Sequence, residues 1–281
     1  MCEFCHKHGE GKKWYLQAKN YSDDLLSDLG RRWHTGRSLR DLDNRQRTMR
    51  GIRMLSRTRG DVRRLLSWGI TKAMKKFHFG QAVPIEDVER ILGLTNSVVR
   101  MACACRYSQG WKDARYCYGI SINPDGGMFE KIIRKVEPDF LVGPETKGLE
   151  KVTKEDALRQ MREHERDGLC HTVWTVYTPL IVGICNCDRA GCLGVRLTVE
   201  EGAKAFFRAE YVAAADPDRC SGCGRCARVC QFDAIRIDPA TKKAEIDPKK
   251  CYGCGVCRAV CAKDAISLAD RRAVAEAKDL W

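Results

Sequence analysis

Two cysteine-rich stretches near the C-terminus decide the fold of the region that contains them. The first reads Cys220-Ser-Gly-Cys223-Gly-Arg-Cys226-Ala-Arg-Val-Cys230. The second reads Cys251-Tyr-Gly-Cys254-Gly-Val-Cys257-Arg-Ala-Val-Cys261, 31 residues further on. The same offset relates the flanking Asp-Pro and Asp-Ala-Ile segments, so the two halves form an internal repeat.

This spacing is typical of iron–sulfur ligation, in which each stretch gives three thiolates to one cubane and its fourth to the other. Zinc ribbons are the alternative, but they need two ligand pairs and would leave thiols over. Glycines stand inside each loop because so tight a wrap needs backbone conformations that a Cβ resists. The predicted ligand sets are Cys220, Cys223, Cys226 and Cys261 for one cluster, and Cys251, Cys254, Cys257 and Cys230 for the other.

On these motifs, residues 212–270 resemble the bacterial two-cluster ferredoxins. The resemblance implies two [4Fe–4S] clusters bound by the eight cysteines. We also expect each half to carry a short helix after its fourth cysteine and a strand beside it. Gln231 and Ala262 stand where those ferredoxins usually have proline, a difference that removes no ligand.

The composition separates this chain from disulfide-rich secreted proteins. Its 281 residues include 17 cysteines and are 44% hydrophobic, which is enough for two or three small domains. We expect no export signal, because the N-terminus lacks an apolar run, and no membrane span. Metal-bound thiolates in a reducing cytoplasm therefore explain the cysteines, and clusters of low potential indicate an anaerobic organism.

The N-terminus contains a Cys-x-x-Cys-His motif formed by Cys2, Cys5 and His6. Covalent haem attachment follows export, so the absence of an export signal disfavours a c-type haem site. Either the pair completes a metal site with residues from elsewhere, or it consists of free thiols. We favour the metal site, since a thiol pair at this spacing is typical of ligands.

Residues 31–76 are strongly basic. They carry fifteen Lys and Arg and three acidic residues, which amounts to +12 of the net charge of +13. Apolar residues recur at helical spacing from Val62 to Phe77, so we expect an amphipathic helix, preceded by another that opens near Ser38. Its opposite face is predicted to carry Arg63, Arg64, Lys72, Lys75 and Lys76.

Three interpretations of this basic stretch remain open: a solvated face, docking on an acidic redox partner, and contact with a membrane surface. Nucleic acid is disfavoured, because no aromatic strand platform or recognised DNA-binding motif accompanies the charge.

Further cysteines occur in two similar arrangements upstream of the repeat. A strand-like run after a short helix at 84–93 ends in Cys103-Ala-Cys105, with Cys117 on the next loop. A second run ends in Cys185-Asn-Cys187, with Cys192 following. We expect the turn at each strand end to direct both thiols to one metal, and the two tips to lie side by side.

Residues 84–192 also resemble the upstream region of uncharacterised anaerobe iron–sulfur proteins. The shared features are Cys-x-Cys-Arg, a Gly-Leu-x-His stretch that includes His171, and an Asn-flanked Cys-x-Cys. The resemblance implies a shared site but no known activity. We predict at least one further metal centre here, most simply a third [4Fe–4S] cluster, with structural zinc as the alternative. His171 is interpreted as structural rather than as a ligand.

The predicted architecture is α+β and has four parts. Residues 1–83 form a basic, mainly helical region; 84–211 form a central α/β domain with Cys-x-Cys strand tips; 212–270 form the two-cluster ferredoxin domain; 271–281 form a tail. No nucleotide-binding motif occurs.

We expect a non-catalytic, cytoplasmic subunit that relays single electrons to or from an anaerobic oxidoreductase complex. Its partner would be a redox protein with an acidic surface. The alternatives are a redox enzyme whose central cluster binds substrate at an open iron, and a scaffold that delivers metal clusters.

Overall fold

A computed structural model describes residues 13–43 and 45–280 of the chain, and these form an α+β structure, as predicted from the sequence. Its strands are β1 (Gly80–Ala82), β2 (Ser97–Met101), β3 (Cys117–Ser121), β4 (Glu150–Lys151), β5 (Cys170–Thr175), β6 (Ile181–Cys187), β7 (Phe206–Phe207), β8 (Tyr211–Ala215), β9 (Ile235–Ile237), β10 (Ala244–Ile246) and β11 (Ile266–Asp270). Its helices are α1 (Leu29–Asp43), α2 (Arg45–Arg57), α3 (Gly60–Phe77), α4 (Ile85–Leu94), α5 (Ala104–Ser108), α6 (Gly127–Val136), α7 (Asp139–Val142), α8 (Lys154–Arg166), α9 (Leu193–Val199), α10 (Arg225–Val229) and α11 (Val256–Ala259). Short 3-10 turns cover Trp14–Leu16, Ala18–Tyr21, Asp23–Leu26 and Arg271–Ala273.

A seven-stranded sheet with the order β4-β2-β3-β6-β5-β1-β7 forms the centre of the molecule. Its neighbouring strands run antiparallel, except β1 and β7, which are parallel. The predicted strand tips of β2 and β6 are therefore not adjacent, because β3 lies between them. Antiparallel pairing nevertheless places the end of β2, the start of β3, the end of β6 and the start of β5 at one end of the sheet.

The two faces of this sheet contact different layers. Val98, Tyr118, Val173 and Ile184 lie on one face and form a core with α4 and α8. Thr153 caps the start of α8, since its Oγ1 accepts a hydrogen bond from the backbone N–H of Asp156. The other face carries the cysteines and is covered by α5, α6 and α9. Side-chain alternation along the strands thus separates the apolar core from the sulfur-bearing face.

The N-terminal region packs into the same body. Trp14 and Tyr15 are fully buried and contribute to the core beneath α4. Strand β1, which precedes residue 84, pairs with β5 of the central sheet. The domain boundaries remain predictions, but side chains from both sides of position 84 share one core. Helix α1 begins at Leu29 rather than near Ser38, because the Asp28 carboxylate accepts the backbone N–H of Arg31.

Helix α3 forms where the apolar spacing predicts it, but its orientation differs from the prediction. Val62 and Leu65 are 60% and 69% exposed. Arg63, expected on the solvent side, instead donates to Glu201 through Nη2, 2.9 Å away. Ser67 is buried on the same side, where its hydroxyl donates to the Glu201 carbonyl oxygen. Polar contacts with the loop after α9 therefore determine which face of α3 is covered.

The C-terminal domain is built from two antiparallel strand pairs, β9 with β10 and β8 with β11. Its two short helices, α10 and α11, each contain the third cysteine of a stretch and end at or just before the fourth. The expectation of a helix after the fourth cysteine is therefore wrong, because the chain turns there into β9 and β11. In the described part of the chain, no helix is both long enough and apolar enough to span a membrane.

Candidate metal centres

The strand register brings cysteines of three strands to one end of the sheet. Cys185 and Cys187 are two residues apart in β6, so their side chains lie on the same face. Cys117 of β3 lies opposite Cys185, and Cys170 of β5 lies opposite Cys187. Since directly opposed residues also share a face, the register alone gathers these sulfur atoms. The turn that we expected at the tip of β6 is not needed.

Loops supply the other cysteines of this site. Cys103 precedes α5, which contains Cys105, and Cys192 precedes α9. The Sγ atoms of Cys103 and Cys117 are 3.0 Å apart. The structure thus brings together all six cysteines predicted for the central site. We call them the central cysteine group: Cys103, Cys105, Cys117, Cys185, Cys187 and Cys192.

Hydrogen bonds join the cysteines of the central cysteine group into two sets of three. In one set, Cys117 contacts both Cys103 and Cys185. In the other, Cys192 contacts both Cys105 and Cys187. Both sets line one cavity of about 150 Å³ beneath the sheet.

Hydrogen bonds between neighbouring thiols and burial together raise the pKa of these thiols. Burial is the main cause that raises the pKa of Cys103 well above the ordinary value for a thiol. A hydrogen bond from Cys117 is the largest single effect on the pKa of Cys185 and lowers it, but burial and the neighbouring Cys187 together raise this pKa to about 12. Because metal ligation requires thiolates, a bound cation must supply the charge that drives off these protons.

Arg106 is a cation in contact with the group. Its Nη1 donates to Cys103 Sγ at 3.5 Å, and its Nη2 pairs with Asp188 at 3.0 Å. The guanidinium also lies 4.2 Å from the centre of the Tyr116 ring. This buried arginine favours a thiolate at Cys103, although burial outweighs it.

Backbone hydrogen-bond donors surround the sulfur atoms of the central cysteine group, and this arrangement suits a metal centre. The backbone N–H of Tyr116 donates to Cys103 Sγ at 3.3 Å. Cys105 and Cys192 accept backbone hydrogen bonds from Leu193 and Val195. Hydrogen bonds to sulfur of this kind tune iron–sulfur centres.

Across residues 13–43 and 45–280, no three His, Cys, Asp or Glu side chains meet at the spacing of a single-ion site. This holds for the C-terminal repeat as well as for the central cysteine group. A cubane distributes its ligands over four irons and needs its sulfur ligands further apart than one ion does, so Cys103 and Cys117, whose Sγ atoms are 3.0 Å apart, would separate to hold one.

The C-terminal repeat forms two further sulfur groups. Four of the cysteines line a single cavity. The other four lie close together, because burial and then the charges of Cys251 and Cys230 raise the pKa of Cys254. These are the two sets predicted from the spacing. The first set is Cys220, Cys223, Cys226 and Cys261; the second is Cys230, Cys251, Cys254 and Cys257.

Backbone donors around these sulfur atoms follow the 31-residue repeat. Gly222 N–H donates to Cys220 as Gly253 N–H donates to Cys251. Ala234 donates to Cys230, as Ala265 does to Cys261. The repeated donors orient each loop around its sulfur atoms, which fits thiolate ligands of a cluster.

Cys170 connects the central and C-terminal sites and was not predicted. It is completely buried, and its Sγ donates to the Cys187 carbonyl oxygen at 3.1 Å. After burial, the charges of Cys254 and Cys192 are the main causes that raise its pKa. Cys170 therefore lies near a thiol of each site. Only the pairing of β5 with β6 reveals this position, and no motif in the sequence marks it.

The remaining predicted residues lie elsewhere. Cys2 and Cys5 fall outside the described residues. His171 lies on the opposite face of β5 from Cys170 and donates through Nδ1 to the Asn186 side-chain oxygen, 2.7 Å away. It faces away from the sulfur atoms of the central group, and its interpretation as a structural residue stays a prediction. Arg106 was also missed, although its place directly after Cys-x-Cys was a usable signal.

Comparison with known proteins gives one family. No curated protein matches the chain significantly. The match of the family model covers residues 219–265, which include all eight cysteines of the repeat, and it confirms the resemblance to two-cluster ferredoxins. The resemblance of residues 84–192 remains a prediction, since the match lies outside them. Residues 219–265 of this chain are a 4Fe-4S dicluster domain, which binds 4Fe-4S clusters.

Proposed function

We propose that this protein relays single electrons through the dicluster domain and a third metal centre, as a non-catalytic subunit of an anaerobic oxidoreductase in the cytoplasm. Iron–sulfur clusters supply one-electron chemistry to such a relay. The chain would hold two [4Fe–4S] clusters with the eight cysteines of the repeat. The central cysteine group would hold the third.

The position of Cys170 carries this proposal. The Cys170 thiol lies near Cys254 of the dicluster domain and near Cys192 of the central group. Phe206, Phe232 and Tyr252 stack beside it in the same hydrophobic cluster. Cys187 and Cys192 of the central group and Cys230 and Cys254 of the dicluster domain belong to this same cluster, so apolar packing joins the two sulfur groups. Insulation and fixed spacing are what a protein contributes to electron transfer.

The surface of α3 supports docking on a redox partner. Val62, Leu65 and Trp68 are exposed along one side of the helix. Lys72 lies 5.3 Å from the centre of the Trp68 ring. An apolar centre with an aromatic anchor and a basic rim fits a protein partner with an acidic surface.

Anaerobic purification with iron and sulfide counting and EPR tests the three-centre relay. We expect about twelve irons per chain, since three cubanes hold four each. Exchange of Cys185 and Cys187 for Ser should lower the count to about eight while both dicluster signals remain. A count of about eight in the unaltered protein, with or without zinc, would overturn the third cluster.

The scaffold alternative gives a different result in the same preparation. A delivery protein would pass its clusters to an apo-ferredoxin within the time of mixing. Clusters that stay on the chain and undergo reversible reduction by dithionite support the relay.

A further inference from the structure

The cavity beside the central cysteine group has two unlike sides. One side carries the six sulfur atoms. The other side is apolar and belongs to the core formed by α1, α6 and α7. Its lining residues are Leu39, Met101, Phe140, Leu141, Val176 and Val182.

The cavity is larger than a cubane site in the same chain. Its volume is about 150 Å³, whereas the cavity enclosed by Cys220, Cys223, Cys226 and Cys261 has about 20 Å³ by the same measure. A cubane held by the central cysteines would therefore leave room on the apolar side. Space lined by apolar side chains accepts apolar molecules.

His78 supplies a polar group to this space. Its Nδ1 lies 2.5 Å from the Thr175 carbonyl oxygen, which can only accept, so Nδ1 carries the proton. Nε2 of the neutral ring is then an acceptor. The ring stacks on Trp174, with 4.9 Å between the ring centres. His78 is exposed and lines the cavity, so a ligand there can reach its ring. Burial lowers the pKa of His78, which favours the neutral ring.

Within the described part of the chain, the lining offers no spare charge to a ligand. Arg106 is the cation among the lining residues, and Asp188 already pairs with it. Its Nε, which has no partner among the described residues, lies against Gly191, where an added Cβ would be 2.4 Å away. A charged ligand would lose its hydration here without compensation, so the cavity selects for uncharged molecules.

We propose that the apolar side of this cavity is a binding chamber for a small uncharged molecule with an apolar body and one hydrogen-bond donor. Nε2 of His78 accepts the hydrogen bond from that donor. A relay needs no such chamber, so this inference goes beyond the proposed function. The ligand would lie directly beside the central cysteine group.

Titration of the anaerobically purified protein with phenol and with toluene tests the chamber. The two probes have similar size, and phenol alone carries a donor. We expect both to bind by calorimetry. In His78→Leu, phenol affinity should fall several-fold, up to about tenfold, while toluene affinity does not fall. An unchanged ratio of the two affinities would overturn the role of His78.

Val176→Phe tests the location, since the added ring would fill the chamber. Val142→Phe is the matched control, because it adds the same ring to a side chain that is 40% exposed. Phenol binding should disappear in Val176→Phe and persist in Val142→Phe. Binding that survives in Val176→Phe, or phenol that does not bind the unaltered protein, would overturn the chamber.

Iron content measured on the same samples separates this inference from the relay. If the protein holds about eight irons and binds phenol, the proposal of a chamber stands and the proposal of a third cluster is wrong. If it holds about twelve irons and does not bind phenol, the third cluster stands and the chamber is wrong. An iron content of Val176→Phe equal to that of the unaltered protein shows that its sulfur groups remain intact.

Discussion

Gln231 donates a hydrogen bond from Nε2 to the carbonyl oxygen of Gly168, 2.9 Å away. Its Oε1 accepts the backbone N–H of Arg189 at 2.8 Å. Gly168 lies in the turn before β5, and Arg189 lies in the loop after β6. One side chain of the dicluster domain therefore contacts the segments next to β5 and β6, the two strands whose ends carry Cys170, Cys185 and Cys187.

Loss of this bridge should loosen the contact between the dicluster domain and the central sheet. Gln231→Ala removes both hydrogen bonds, which are worth about 1–3 kcal/mol together. We expect faster amide hydrogen exchange in the segment around Arg189. Exchange in the hairpin of β9 and β10 should stay unchanged.

Gln231→Glu is the matched variant for this bridge. It keeps the Oε1 acceptor for Arg189 and removes the donor to Gly168. Its exchange rate at Arg189 should therefore fall between those of the unaltered protein and Gln231→Ala. Equal exchange in all three proteins would show that the bridge does not hold the two domains together.

Two glycines of the cluster loops should respond differently to alanine. Both have positive φ, 66° at Gly253 and 72° at Gly224. A Cβ at position 253 would lie 2.0 Å from the Tyr211 carbonyl oxygen, whereas position 224 has no atom closer than 3.7 Å. Gly224→Ala should thus cost only the conformational strain, about 1 kcal/mol, and keep all its iron. Gly253→Ala should displace its loop and lose the iron of one cluster. Equal iron content in both variants would contradict this steric argument.

Sequence reasoning succeeded where spacing along the chain determines geometry. The spacing of the Cys-x-x-Cys loops predicted the dicluster domain, and the two upstream cysteine arrangements meet at one site as expected. Cys170 was missed because its position depends on the register of β5 against β6, which pairs it with Cys187. Register between strands leaves no local signal in the sequence.

Gln231 and Arg63 show a second limit of the sequence. Gln231 stood out as a departure from proline, but its partners are distant in the chain. The periodicity of α3 predicted a helix without showing which face is covered. Arg63 points inward because Glu201 lies beneath the helix, and that contact exists only in the folded chain.

The pH dependence of stability should show two opposing contributions. Burial raises the pKa of Glu165 to about 7, and burial lowers the pKa of His171 to about 4. Between pH 4.5 and 7 the folded protein holds the extra proton on Glu165, so the free energy of unfolding falls as pH rises. Between pH 4 and 6.5 the unfolded chain holds the extra proton on His171, so the free energy of unfolding rises with pH.

Glu165→Gln separates the two contributions. The amide cannot ionise, so the variant should be more stable than the unaltered protein at pH 8, by about 3 kcal/mol at most. At pH 4.5 the two proteins should unfold alike. Thermal unfolding at both pH values measures this difference. A variant that gains no stability at pH 8 would show that the ionised Glu165 carboxylate does not destabilise the folded protein.

The exposed side of α3 should control the rate of electron exchange with an acidic partner. Arg64, Lys72 and Lys76 flank the exposed apolar residues of this helix and are themselves exposed. Reversal of all three to Glu should slow reduction by an acidic ferredoxin about tenfold at low salt, because opposite charges steer the encounter. The difference should shrink at high salt, where screening acts within a few ångströms. Lys131, Arg134 and Lys135 on α6, reversed together, provide the same change in net charge at another exposed site. If both triple variants slow the reaction equally, net charge rather than α3 governs the encounter, and docking at this helix is wrong.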